Sequence, residues 1–472
     1  VQGINIDLEK VAIELFKRKS FDFITLVNGK KHLKQEEALN VLCDDYTEEL
    51  VYGGAAGGAK SWTGCCWLLF MCLSYPETKW FIGREELKRI TESTLITFYK
   101  VAKEYSITSF KYNGQKNYIK FENGSRIDLL ELKYLPRDPL YERFGSTEYT
   151  GGWIEEGGEI NFGAYDVLKT RVGRHYNDKY GVLATIFITA NPKKNWLYTE
   201  FYKPFKSNLL KPMQKFMQAF VQDNPFIESG YIERLRRTKD KAKKERLLKG
   251  NWDYDDSPYA LCSYDNILAI FENDHIQEGD KKYITADIAR FGSDKARIGV
   301  WKGWDLVETI SFDISKTTDI QSAIDSLRVK YKIPKHNCIA DEDGVGGGVV
   351  DNCGILGFVN NSKPIKEKVT KGSKETPQYD NLQTQCLFKL ADHINDNKIN
   401  ISANITQTEK EQICEELSKI ERDPSKTKKL SLISKAKIKE DIGRSPDWRD
   451  LILMRKYFDL KKTTGVYHIS RV

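Results

Sequence analysis

The stretch Val51 to Ser61, VYGGAAGGAKS, constrains the fold of this chain more than any other. Glycines bunched before Lys-Ser let a backbone turn its N–H groups toward a polyphosphate, and a following helix adds its positive end. The residues before Gly53 read as a strand, and those after Ser61 (WTGCCWLLFMCLSY) read as a helix. Strand, glycine loop and helix together predict a phosphate-binding unit of an α/β domain. In such a unit Gly54, Gly57, Gly58 and Ala59 form the cradle, Lys60 reaches the β and γ phosphates, and the Ser61 hydroxyl holds Mg²⁺. Ala59 stands where a glycine usually precedes the lysine. A glycine-rich hairpin turn is the other reading of the stretch taken alone.

A chain of 472 residues is long enough for two domains, each with its own core. The longest apolar run, Cys65 to Leu73, has about half of the ~20 residues needed to cross a bilayer. The first residues, VQGINIDLEKVAIELF, carry acids where a signal peptide carries bases, so a cytoplasmic setting is expected. Nine cysteines with no C-x-x-C pair read as reduced, mostly buried thiols, without disulfides or structural zinc. The formal charge of +7 is unevenly placed: Tyr231 to Gly250 carries nine Lys/Arg against three Asp/Glu. Arg234, Arg236, Arg237, Lys241 and Lys244 in that run suit either a solvated helix or phosphate-backbone contacts.

Candidate site residues follow in chain order. Gln35 lies in a helical stretch upstream of the loop, where its amide suits either the edge of adenine or solvent. Arg84 ends the strand KWFIG, a ligand-facing place in open α/β sheets, and is a candidate for the γ-phosphate or for an ion pair with Glu85 or Glu86. Strands at Tyr118–Phe121 and Ser125–Leu130 flank the turn signal Glu122-Asn123-Gly124. YTGGWIEE then reads as an apolar strand ending in two acids: Glu155 to support magnesium and Glu156 to polarise the attacking water. The strand GVLATIFITA ends near Thr189 and Asn191, which suit sensing of the γ-phosphate. Arg171 and Arg174 are further candidates for an arginine finger.

The second half repeats the pattern of strands ending on acids. YITAD closes on Asp287, two more strands follow at Ala296–Lys302 and Leu306–Phe312, and CIAD closes on Asp341. Such a succession suggests a ribonuclease H-like sheet. The glycine run after Asp343 lacks Lys-Ser and reads as a tight strand-to-helix turn. In SPDWRDL, Ser445 and Pro446 predict a helix start, with Asp447 and Asp450 on one face of its first turn. Phosphodiester cleavage by two metals needs carboxylates that hold two ions ~4 Å apart, and Asp287, Asp341 and Asp450 are the candidates.

With these motifs in order, the chain from about Gln35 onward resembles the large terminase subunit of tailed bacteriophages. The resemblance rests on GGAAGGAKSW, RFGSTEYTGGWIEE, ITANP, YITADIARFGSD, IADEDGVGGGVVD and SKAKIKEDIGRSPDWRDL. It implies a P-loop ATPase domain at 1–205 with a mainly parallel sheet, a basic linker subdomain at 206–268, and a ribonuclease H-like nuclease domain at 269–472. Lys60, Ser61, Glu155 and Glu156 then serve ATP and Mg²⁺, and Thr189 and Asn191 couple hydrolysis to movement. Asp287, Asp341 and Asp450 hold Mg²⁺ or Mn²⁺, with Asp447 and Asp343 as neighbours. Expected partners are double-stranded DNA, a small terminase subunit, the portal protein, and further copies in a ring docked on procapsids in the host-cell cytoplasm, with no membrane. A helicase-like or repair ATPase whose second domain binds DNA without cutting is one alternative. A DNA-binding scaffold with a degenerate phosphate loop is another.

Overall fold

The computed structural model describes residues 7–21, 29–239, 244–254, 257–276, 279–289, 295–312, 316–343, 346–366, 378–426 and 428–463. Lys241, the stretch Arg290 to Asp294 and the residues Gly344 and Val345 lie outside them. The chain forms two compact units, Val1–Asp256 and Ser257–Val472.

The first unit is built on an eight-stranded sheet. Its strands are β1 (Glu49–Gly54), β2 (Lys79–Arg84), β3 (Phe110–Asn113), β4 (Tyr118–Phe121), β5 (Arg126–Glu131), β6 (Gly151–Ile154), β7 (Ile186–Ala190) and β8 (Gln214–Ala219). They are ordered β3-β4-β5-β2-β6-β7-β1-β8. Strands β5, β2, β6, β7, β1 and β8 run parallel, while β3 and β4 add antiparallel pairs at one edge. The helix Lys60–Ser74 is apolar on every side and is buried accordingly, with Trp67, Phe70 and Leu68 packed among Trp80, Trp153 and Phe187. Removing these side chains from water at about 25 cal/mol per Å² fixes the helix, and with it the loop that precedes it.

The stretch 206–268, expected as a basic linker subdomain, contributes strand β8 before its helix Ser229–Arg236. In Gln214 to Ala219 only Lys215 and Gln218 are half-buried and the rest are buried, so the polar residues and the neighbouring charge obscure the strand in the sequence.

The second unit holds a six-stranded sheet: β9 (Lys282–Asp287), β10 (Ala296–Lys302), β11 (Asp305–Phe312), β12 (Cys338–Asp341), β13 (Leu356–Phe358) and β14 (Asn400–Ile401). The order is β13-β12-β9-β10-β11-β14. An antiparallel meander β9-β10-β11 is flanked on its β9 side by the parallel strands β12 and β13. That is the ribonuclease H-like arrangement expected from the strand succession. The last helix begins at Asp447, one residue later than Ser-Pro predicts, because the Pro446 carbonyl accepts the first helical hydrogen bond, from the Asp450 N–H, at 3.1 Å. All nine cysteines are free thiols, eight of them buried. Among the described residues no helix is long and apolar enough to cross a membrane.

Candidate active sites

In the first unit the loop between β1 and the helix Lys60–Ser74 depends on glycines at two places. A Cβ on Gly54 would lie 2.0 Å from the Ala219 carbonyl oxygen, and one on Gly57 would lie 2.3 Å from Ile227 Cδ1. Ala59 takes the left-handed conformation at φ 56°, ψ 20°, so the loop keeps the backbone shape that a glycine there would give it. The loop is closely held: Ala55 N–H donates to Ala219 O at 2.9 Å, Ala56 N–H to Leu247 O at 2.9 Å, and Asn224 Nδ2 to Gly57 O at 2.6 Å.

Lys60 is 7% exposed and directs its donors to the Ala55 carbonyl at 2.6 Å, the Gly54 carbonyl at 3.3 Å and Asn191 Oδ1 at 3.2 Å. The Asn191 amide in turn donates to both oxygens of Glu156, at 3.0 and 3.1 Å. Lys60 at the start of its helix, Glu156 just beyond β6 and Asn191 just beyond β7 thus form one hydrogen-bonded chain. Burial brings the Lys60 ammonium down to about 8, with Glu156 opposing the fall. Burial likewise raises the Glu156 carboxyl, against the pull of Lys60. Both shifts have the same cause: each charge is removed from water and only partly compensated by the other. Glu156 also sits at φ 52°, a left-handed backbone that an L-residue holds at a cost.

Glu155 is buried and accepts from the Thr94 hydroxyl, with Arg84 at 3.5 Å. Arg84 also lies 3.5 Å from Glu159, which holds Arg89 at 2.8 Å. Arg84 therefore pairs with Glu155 and Glu159 rather than with Glu85 or Glu86. Gln35 is 1% exposed, and its Nε2 has no partner among the described residues. Beside it His32 caps the helix Leu33–Leu42, accepting the Gln35 N–H on Nδ1 at 3.2 Å, while its own buried Nε2 is also unpartnered. Thr189 is buried and accepts from Trp153 Nε1 at 3.0 Å. Arg171 and Arg174 lie by Tyr149, at the end of β6 opposite Glu155. Arg234, Arg236 and Arg237 are exposed, and Arg236 pairs with Glu233.

In the second unit Asp287, Asp341, Asp447 and Asp450 come from β9, β12 and the first turn of the last helix. Burial pushes Asp287 well above the usual carboxylate range, and the charges of Asp447, Asp450 and Asp341 push it further. Burial raises Asp341 to about 6, although the Asp343 N–H donates to it at 3.1 Å. Burial also disfavours ionised Asp450, but Arg449 at 2.7 Å and Lys435 at 2.7 Å outweigh it and hold that carboxyl low. Asp447 accepts the Lys295 N–H at 3.1 Å and is raised by burial. Asn360 Nδ2 bridges Asp341 and Asp343 at 3.3 and 2.9 Å.

Among the described residues no three acids, histidines or cysteines stand close enough to share an ion as their side chains lie. The Lys435 ammonium is felt by all four of these acids and takes a cation's place among them. All-oxygen donors around a stand-in cation fit a hard divalent ion. Sequence reasoning missed Lys435, His32 and Glu159. Lys435 stands twelve residues before Asp447, inside the stretch SKAKIKEDIGRSPDWRDL but with no role read for it there, and the fold brings it to the acids.

Residues 47–249 match the family model described as phage terminase large subunit. No curated protein matches the chain. Among solved structures, the large terminase of a thermophilic bacteriophage in complex with ATP-γ-S is 13% identical, with a TM-score of 0.39, covering 94% of this chain and 98% of its own. The nuclease domain of the large terminase subunit gp2 of bacterial virus Sf6 is 18% identical, with a TM-score of 0.37, covering 42% of this chain and 98% of its own. Over residues 47–249, less than half of its 472 residues, the chain is thus similar to the phage terminase large subunit family.

Proposed function

We propose that the chain is the motor and cutting subunit of a DNA-packaging machine: it hydrolyses ATP to move double-stranded DNA into procapsids and cleaves concatemers in its second unit. The observation that carries the reading is the chain Lys60–Asn191–Glu156, which links a phosphate-loop lysine, a strand-end amide and a carboxylate. On ATP binding Lys60 exchanges loop carbonyls for the β and γ phosphates, placing positive charge where negative charge develops in the transition state. Asn191 grips both oxygens of Glu156 and so aims the carboxylate at the attacking water. The raised affinity of Glu156 for a proton suits a general base working near neutrality. Because Asn191 touches both Lys60 and Glu156, release of the γ-phosphate is reported to β7, with Thr189 two residues before it. The unpartnered Gln35 amide is available to the adenine edge. Gly54, Gly57, Gly58 and Ala59 shape the cradle. Arg84 pairs with Glu155 and its charge also reaches Glu156, which makes it the candidate for the γ-phosphate.

Ser61 and Glu155 would hold Mg²⁺, which neutralises phosphate charge when bound. In the second unit Asp287, Asp341 and Asp450, with Asp447 beside them, would hold Mg²⁺ or Mn²⁺; two such ions supply an activated water and steady the leaving oxygen. A small terminase subunit, the portal protein and further copies in a ring complete the machine, in the host-cell cytoplasm.

Glu156→Gln tests the reading. It keeps one of the two acceptors for the Asn191 amide but removes the base, so ATP should bind with near-normal affinity while phosphate release falls at least about 100-fold. Loss of binding together with turnover would make Glu156 a structural residue and sink the assignment.

A further inference from the structure

The first sheet carries a row of cations that the nucleotide site does not use. Lys111 of β3 pairs in register with Lys120 of β4, Lys120 with Arg126 of β5, and Arg126 with Lys79 of β2. Directly paired residues project to the same side of a sheet, so four cations line up across four strands. At about 4.8 Å per strand the row is about 14 Å long. The neighbouring positions Tyr112, Ile119, Ile127 and Trp80 point the other way, into or against the core.

Charge along the row is poorly balanced. Asp128, in the adjacent row, accepts from Arg126 and from Tyr149 at 3.4 Å, and lies 3.4 Å from Lys79. Arg126 also covers the Tyr118 ring at 4.0 Å and Lys79 the Tyr149 ring at 4.9 Å. Lys111 and Lys120 are exposed. Lys120 donates to the neutral Gly124 carbonyl, and among the described residues no carboxylate pairs with either lysine. Like charges directly opposite each other on paired strands are destabilising. Protection of the sheet edge accounts for Lys111 on β3. It does not account for Lys120 or Arg126, which lie on strands already paired on both sides.

We propose that this face binds the sugar–phosphate backbone of duplex DNA. The inference rests on the DNA-handling reading above and assigns it a surface. A polyanion relieves the repulsion that the fold otherwise carries. Lys79 and Arg126 open their strands, whereas Arg84 and Glu155 stand where strands close, at the opposite end of the sheet. DNA on this face therefore leaves the nucleotide site untouched.

The test uses the full chain carrying Lys111→Gln and Lys120→Gln, with a charge-keeping Lys111→Arg, Lys120→Arg control, and measures duplex affinity by anisotropy over a salt series. Loss of two phosphate contacts should lower the slope of log affinity against log salt by roughly 1.8, uniformly across DNA sequences, while the control keeps the wild-type slope. ATP hydrolysis without DNA should be unchanged, and the glutamine protein should melt no lower than wild type. An unchanged slope in the glutamine protein, or an equal loss in the arginine control, would overturn the inference. A wild-type chain that binds no DNA at all would instead overturn the reading on which it rests.

Discussion

Ala59 shows how a single residue can depart from a motif without losing its geometry. Its left-handed φ of 56° costs an alanine about 1 kcal/mol and a glycine nothing. Ala59→Gly should therefore stabilise the first unit by about 1 kcal/mol, read as a rise in denaturant midpoint at unchanged slope; a loss of stability would mean that the methyl group packs usefully. The four acids of the second unit divide in the same way by their surroundings. Asp287 is buried among like charges, so Asp287→Ala should melt at or above wild type in metal-free buffer. Asp450 is instead ion-paired with Arg449, both under 10% exposed, and its removal leaves a buried guanidinium unpaired. Asp450→Ala should cost about 3 kcal/mol. Lys435, nearly half exposed, contributes less to that loss. Calorimetry of the two proteins side by side checks the contrast, and equal melting temperatures would refute it.

At the scale of elements, strands β9 and β12 deliver acids whose protonation would compete with metal at the proposed site. Asp341 has its carboxyl raised to about 6, so its contribution to metal-free stability is complete below the usual value near 4 and is lost as pH rises through 6. Metal binding has the opposite sign, because it requires the ionised form. The Mn²⁺ concentration for half-maximal DNA cleavage should therefore climb up to about tenfold per pH unit below 6 and level off above 7; a flat profile would remove Asp341 from the ligand set. Most of these elements were legible in sequence. The strands ending at Arg84, Ala190, Asp287 and Asp341 are apolar runs closed by polar residues, and the glycine loop announces its own turn. Strand β8 was not legible, because its Lys and two Gln break up the apolar run and the nearby charge run suggests helix. Lys435 and His32 were not legible either. Lys435 reaches the acids through long-range packing, whereas His32 caps its own helix at the usual spacing but is not one of the residue types that announce a cap.

For the whole molecule, two units with separate sheets imply two separable chemistries. Lys60→Ala should abolish ATP hydrolysis and leave DNA cleavage, whereas Asp287→Ala should do the reverse. In the proposed function DNA joins them, and the most direct test is ATP-driven uptake of duplex DNA into a nuclease-resistant state by procapsids that carry a portal. The wild-type chain and Asp287→Ala supplied with precut linear DNA should both protect it, and Glu156→Gln should protect none. Brisk ATP hydrolysis by the wild-type chain on these procapsids with no protected DNA would contradict the account.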